Sequence, residues 1–306
     1  MKRAGILTFM MTAILLTSVT ETLRQINYLR SAATEWSSFW NGLTTVVYAS
    51  EDAVARQERG AGAQTEQNDF RWQGRIAQGR AIEIKGVNGE IRAEATNGNE
   101  VEVTASKRGR RSDPSEVRLQ VVEHAGGVTI CAVYPNGEAD KPNTCEPGDG
   151  GHMSVRNNDV KVDFTIRVPQ GVRFIGRTVN GEVAATRIGS DVEAYTVNGG
   201  INVSASGIAS ARTVNGSINA SLGRSNWTGP LEFKTVNGSI NLDLPTDLST
   251  EFVGDTVNGD ITSDFPMTVQ GRLSRRHLQG TIGSGGGGRE LAAKTINGSI
   301  KLRRAQ

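Results

Sequence analysis

In the repetitive half of this sequence the side chains best suited to acid–base or nucleophilic chemistry are carboxylates: Glu182, Asp191, Glu193, Glu232, Asp243, Asp255, Asp260 and Asp264. Cleaving a glycan needs two such groups held close together in unlike surroundings, usually with a basic partner. Here they are scattered singly, mostly at positions that strand alternation turns outward. No nucleophile-elbow motif supports a Ser-His-Asp triad. The three histidines, His124, His152 and His277, lack ligand spacing, so no metal is expected. The calcium-binding nonapeptide is absent. Gly285-Gly286-Gly287-Gly288 is not followed by Lys-Ser/Thr, so it is no phosphate loop. The expectation is a non-enzyme without cofactor.

Two further residue types carry chemistry. Cys131 and Cys145 are the only cysteines, in a segment rich in Pro, Gly and Asn. In an exported chain such a pair is expected to form a disulfide. Export is suggested by Lys2 and Arg3 ahead of an apolar run from Ala4 to Val19, closed by Glu21. That pattern reads as a signal peptide over residues 1–20, or as an uncleaved membrane anchor, with no clear cleavage site. Residues 21–68 read as a short helix over 22–40 followed by a flexible polar linker. A formal net charge of +2, from 34 basic and 32 acidic residues, gives no general attraction to nucleic acid, and leaves the membrane to the N-terminal segment.

The elements that must position any site are strands. Glycine stands at 37 of 306 residues and aromatics at 5%, a composition for frequent turns and a thin aliphatic core. Residues 81–84, 90–93, 101–104, 117–122, 128–133 and 160–168 alternate apolar and polar side chains, as half-buried strands do. Residues 69–170 therefore read as an irregular antiparallel β region carrying the disulfide loop, continuous with a repeat region over 171–304.

The repeat is Thr-Val-Asn-Gly, at 178–181, 196–199, 213–216, 235–238 and 256–259, with Thr-Ile-Asn-Gly at 295–298. Gly86-Val87-Asn88-Gly89 is an outlying copy, and 278–282 a degenerate one with Gln279 in place of Asn. A spacing of 17 to 22 residues from Asn180 to Asn258 is one solenoid coil. The fold class is thus all-β, a single-stranded β-helix. Even positions before each Asn (Val192, Ala194, Thr196) and odd positions after it (Ile201, Val203) are expected to face the core. On this register Asn88, Asn180, Asn198, Asn215, Asn237, Asn258 and Asn297 are structural corner residues on the core side, stacked as a ladder of buried amides. Gly follows because a tight corner often demands positive φ.

After each corner the outward positions are short and polar: Asn202, Ser204, Ser217, Asn219, Ser221, Ser239, Asn241, Asp243 and Thr262, with Asp264 continuing the series. Coils stack about 4.8 Å apart, so these side chains form a flat hydrogen-bonding grid suited to a repeating polymer. The Asn-x-Ser/Thr matches within it are turn and strand chemistry.

The run from Phe70 to Arg304 resembles the bacterial putative-adhesin family of unknown function, the toastrack-type domains. The residues that carry the resemblance are the Thr-Val-Asn-Gly-Ser-Ile copies at 213–218 and 235–240, Ile130-Cys131-Ala132-Val133-Tyr134-Pro135, Asp159-Val160-Lys161-Val162-Asp163-Phe164 and Gly280-Thr281-Ile282-Gly283. It implies a β-helical fold displayed outside the cytoplasm. Three function classes follow: an envelope or surface binding module, whose partner is an envelope glycan or protein; a structural or sensory ectodomain of an envelope system; and, last, a glycan-active enzyme.

Overall fold

The computed structural model describes residues 69–135, 142–269, 274–285 and 287–305. The expected signal peptide or anchor, the helix over 22–40 and the linker lie outside the described residues. Among those described, the only helical element is a 3-10 turn at Pro114–Glu116, capped by Asp113, whose carboxylate accepts from the Ser115 N–H at 2.8 Å.

Each coil is a strand, a corner and a second strand. The first coil consists of β2 (Ala81–Lys85) and, after the corner, β3 (Ile91–Thr96), preceded by β1 (Asp69–Gly74) and followed by β4 (Val101–Arg108). Next come β5 (Arg118–His124), β6 (Gly127–Val133) and β7 (Lys161–Pro169). Coils two to five are β8 (Arg173–Arg177) with β9 (Val183–Ile188), β10 (Val192–Tyr195) with β11 (Ile201–Ala205), β12 (Ala209–Arg212) with β13 (Ile218–Leu222), and β14 (Gly229–Lys234) with β15 (Ile240–Leu244). Then follow β16 (Thr250–Asp255) with β17 (Ile261–Ser263), the pair β18 (Met267–Val269) and β19 (His277–Ile282), and the last coil, β20 (Arg289–Lys294) with β21 (Ile300–Arg304).

The strands before the corners stack in parallel into one sheet and those after them into another, which we call sheet two and sheet one. Between the sheets runs one apolar core, from Phe70 to Leu302. Its members are the expected inward residues: Val192, Ala194 and Thr196 before a corner, Ile201 and Val203 after it, are all buried. Burying one such aliphatic side chain is worth roughly 1.5–3 kcal/mol, and the period-2 pattern repeats that contribution in each coil.

The N-terminal part is only partly antiparallel, contrary to expectation: β2 and β3 form a coil parallel to β8 and β9, and β6 and β7 add to it in parallel. Antiparallel pairing begins beyond them, β4 with β7 and β1 in sheet one and β5 with β6 in sheet two. At the other end β19 runs antiparallel to β16 and to β18. The degenerate copy at 278–282 therefore belongs to an end strand, and is no coil corner.

One feature departs from a simple winding order. Sheet one ends β13-β15-β21-β17 and sheet two begins β18-β19-β16-β20-β14. The last coil in sequence thus lies between the coil of Asn237 and the coil of Asn258. Leu291 of β20 is in register with Leu231 on one side and Phe252 on the other. Pairing between coils depends on a shared in–out pattern, which every copy carries, so chain order does not dictate stacking order.

Candidate functional site

The corner is built from four residues with four tasks. Thr points inward: Thr196 and Thr213 are buried, and their hydroxyls each donate at 2.9 Å, to the carbonyls of Gly181 and Gly199 in the neighbouring coil. The N–H groups of Val214 and Asn215 both donate to the Val197 carbonyl, at 3.3 and 2.7 Å. The Asn side chain then lies on the outside. Gly supplies an N–H to the next coil, as from Gly199 to Asn215 at 3.0 Å.

Two expectations about this corner need correction. The Asn amides are not on the core side: Asn180, Asn198, Asn215, Asn237, Asn258 and Asn297 are exposed and Asn88 is half-buried. Inward residues stand two before and three after each Asn, Thr213 and Ile218 in one coil. The five-residue interval breaks strict alternation, and the break places Asn outside. The ladder itself is present. Each Asn Nδ2 donates to the Oδ1 of the coil before it, in the order 258→297→237→215→198→180→88, at 2.7–2.8 Å. Nor does positive φ explain the glycines. Of the seven corner glycines only Gly89 (φ 127°) and Gly298 (φ 158°) lie in that region, and the latter at its edge. Proximity is the cause: a Cβ on Gly199 would stand 2.0 Å from the Gly181 carbonyl oxygen, and one on Gly216 2.0 Å from that of Gly199.

Sheet one carries the proposed face. Registered pairing sets Ala184, Asn202, Asn219, Asn241, Lys301 and Thr262 in one row across the coils. Asn241 donates to Asn219 at 2.8 Å, Asn219 to Asn202 at 2.7 Å, and Asn202 to the Glu182 carboxylate at 2.7 Å. This second amide ladder runs beside the corner ladder. Between them lies a row of serines, where the N–H of Ser239 donates to Ser217 Oγ, and that of Ser299 to Ser239 Oγ, each at 3.2 Å. Further out, Ser204, Ser221, Asp243 and Arg303 share a row, the last two as an ion pair at 3.3 Å.

Nine predicted face residues therefore fall on one surface, but Thr262 is separated from Asn241 by Lys301, and Asp264 follows Thr262 at that end. Ser299, Lys301 and Arg303 were missed because the series was followed in chain order. Their signal was the Asn297-Gly298-Ser299-Ile300 copy itself, which matches 215–218 and 237–240.

The outer face of sheet two is charged and internally paired. Arg173 meets Glu193 at 2.6 Å and Arg212 meets Glu232 at 2.5 Å. Arg177 lies over the Tyr195 ring, 4.2 Å from its centre, and pairs with Glu83 and Asp149, both at 2.9 Å. Glu83, 3% exposed, also accepts from Thr129 Oγ1 at 2.8 Å and from the Gly148 N–H at 2.9 Å. Lys85 donates to the carbonyls of Glu146 and Gly150 at 2.6 and 2.9 Å; burial pulls its pKa down, against the Glu83 charge that raises it. The loop after β6 is thereby strapped across the start of sheet two. Cys131 and Cys145 are disulfide-bonded at its root.

Acidic residues flagged for possible catalysis do not converge: Asp191 caps the Ile208 N–H at 3.0 Å, Glu193 and Glu232 sit in ion pairs, and Asp255 meets His277 at 2.5 Å. No group of three His, Cys, Asp or Glu side chains is placed to hold a metal among the described residues.

With this geometry in view, residues 178–303 match the family model described as Toastrack DUF4097. No curated protein matches the chain. Similar solved structures include a putative cell adhesion protein from Clostridium sporogenes, at 10% identity and a TM-score of 0.39, aligned over 77% of this chain and 99% of that one. A putative adhesin from Bacteroides fragilis aligns at 9% identity and a TM-score of 0.27, over 79% and 100%. A putative lipid binding protein from Parabacteroides distasonis aligns at 10% and 0.25, over 78% and 97%.

Proposed function

We propose that this chain, whose repeat region matches the Toastrack family model over residues 178–303, is an exported, non-enzymatic module that binds a repetitive, hydroxyl-rich envelope glycan across sheet one. The observation that carries this reading is the set of parallel amide and hydroxyl rows formed by Asn202, Asn219 and Asn241 and by Ser217, Ser239 and Ser299.

Each ladder bond uses one N–H and one lone pair of an Asn amide, leaving another donor and acceptor to face outward. The ladder also fixes the side chains in advance, so ordering them costs little further entropy on binding. A weak contact repeated at every coil then sums along a polymer. Export is supported by the Cys131–Cys145 disulfide, since such bonds persist in oxidising compartments. The non-enzymatic reading is supported by carboxylates that are paired apart from one another.

The test replaces Asn202, Asn219 and Asn241 together with Lys and measures binding to whole cells and to isolated envelope polysaccharide. A folded variant with binding reduced at least about tenfold, or 1.4 kcal/mol, is expected. A folded variant that binds as before overturns the reading.

A further inference from the structure

The sequence holds an Asn-Gly pair at every corner and three more, Asn41-Gly42 and Asn136-Gly137 outside the described residues and Asn97-Gly98 in the turn between β3 and β4. Asn-Gly is chemically vulnerable. The glycine amide nitrogen, with no side chain beside it to hinder approach, can attack the preceding Asn Cγ. A bond forms from that nitrogen to Cγ, the Cγ–Nδ2 bond breaks, and ammonia leaves with the proton lost from the backbone amide. Water then opens the five-membered imide at either carbonyl, giving aspartate or isoaspartate. No oxidant or cofactor enters the balance.

The fold treats the pairs differently. At interior corners the attacking nitrogen is engaged: the N–H groups of Gly181, Gly199, Gly216 and Gly238 donate to the carbonyls of Asn198, Asn215, Asn237 and Asn297 at 2.9–3.0 Å. The leaving amide is held too, because Nδ2 of Asn180, Asn198, Asn215 and Asn237 each donates along the ladder at 2.7–2.8 Å. Reaction there must break both bonds and swing the backbone out of a corner stacked on both sides. Asn97 is exposed, and its side chain has no hydrogen-bond partner among the described residues. The Gly98 N–H meets only Thr96 Oγ1, at 3.2 Å within the same exposed turn.

We infer that Asn97 is a site of spontaneous succinimide formation and conversion to aspartate or isoaspartate, and that the amide ladder shields the interior corner pairs from the same reaction. The modified turn gains a carboxylate near Glu100, whose own carboxylate is held by Gln73 and Arg75 at 2.6 and 3.2 Å. A change in this exposed turn leaves the coils in place. The inference is independent of what the polar face binds.

The experiment ages the full-length protein at mildly alkaline pH and locates conversion by peptide mapping with isoaspartate detection, beside a sample aged in denaturant. In the folded sample Asn97 should convert at least tenfold faster than Asn180, Asn198, Asn215 or Asn237. In denaturant those corners should approach the rate of Asn97. Gly98→Ala should slow conversion at Asn97 alone. Folded corners that convert as fast as Asn97, or an Asn97 that stays intact while denatured corners convert, would overturn the inference.

Discussion

The hydroxyl of Thr213, wholly buried, donates to the carbonyl oxygen of Gly199 in the adjacent coil at 2.9 Å. Equivalent bonds join Thr235 to Gly216, Thr295 to Gly238 and Thr256 to Gly298, at 2.8–2.9 Å. A polar group in this core position is tolerated only because its bond is made. Thr213→Val keeps the shape and removes the donor, so it should destabilise by about 1–3 kcal/mol. Thr213→Ser should recover most of the loss. Urea denaturation of both variants checks this, and equal midpoints for Val and wild type would show that the bond contributes nothing.

Two adjacent glycines should respond in opposite ways. A Cβ on Gly199 would meet the Gly181 carbonyl oxygen at 2.0 Å, whereas one on Gly200 meets nothing closer than the Ser217 carbonyl oxygen at 3.6 Å. Gly200 also occupies the place that Ser217 and Ser239 hold in the next two coils. Gly199→Ala should therefore cost several kcal/mol, since a rigid backbone rung must open. Gly200→Ser should fall within about ±0.5 kcal/mol, or stabilise slightly by restricting the unfolded chain. Thermal unfolding of the two variants gives the comparison.

The same corner shows how far the sequence could be read. The inward series Val192, Ala194, Thr196 and Ile201, Val203 is right on both sides of Asn198, because alternation is a local consequence of strand geometry. Asn198 itself was misplaced, since alternation stops where the chain turns between sheets and sequence does not mark which residue absorbs the break. The coil order was also hidden. Leu291 can pair with either Leu231 or Phe252 because all three carry the same inward position, and it pairs with both. Face residues Asn202, Asn219 and Asn241 were legible for the complementary reason: small polar residues at a fixed offset from a repeated corner share a face whatever the stacking order.

Because both amide ladders lie outside the core, Asn215→Ala and Asn219→Ala should cost similar amounts. Each removes two ladder bonds, 2.7 and 2.8 Å long at both positions. Solvent can replace them, so about 0.5–1.5 kcal/mol is expected for each. Asn258→Ala, at the end of the ladder, removes only the 2.8 Å bond to Asn297 and should cost less. Chemical denaturation of the three variants separates a ladder effect from a core effect; a loss at Asn215 several-fold larger than at Asn219 would mean its amide is buried after all.

Reduction of Cys131–Cys145 opens a loop with a sequence separation of 14, worth roughly 3 kcal/mol on the chain-entropy account. The strap also loses its anchor beside Glu146, whose carbonyl holds Lys85 at 2.6 Å. Hydrogen exchange after reduction should rise over residues 142–158, including the Gly148 N–H that binds Glu83. The corner ladder should keep its protection, since its bonds are all between coils. Unchanged exchange in the strap would show that its polar contacts alone hold it down.

Alkaline pH should loosen the fold through two tyrosines. Burial pushes Tyr134 up to about 12, with the Asp163 charge adding to the rise; burial and then the Glu193 charge push Tyr195 up to about 12. Both phenols therefore keep their protons longer in the folded chain than in the unfolded one, where tyrosine titrates near 10. A pKa raised on folding gives stability that is fully present below about pH 10 and is lost progressively as pH rises toward 12. Tyr134 has more at stake structurally, because its hydroxyl donates to the Val160 carbonyl at 2.9 Å, tying the strap's root to the start of β7. Ionisation removes that donor and leaves a charge in the core. Tyr134→Phe should accordingly cost about 1 kcal/mol at neutral pH, and stability should fall less steeply above pH 10 than in the wild type. Denaturation midpoints measured from pH 8 to 12 on both proteins decide the matter: parallel curves would mean that Tyr134 does not report the alkaline transition.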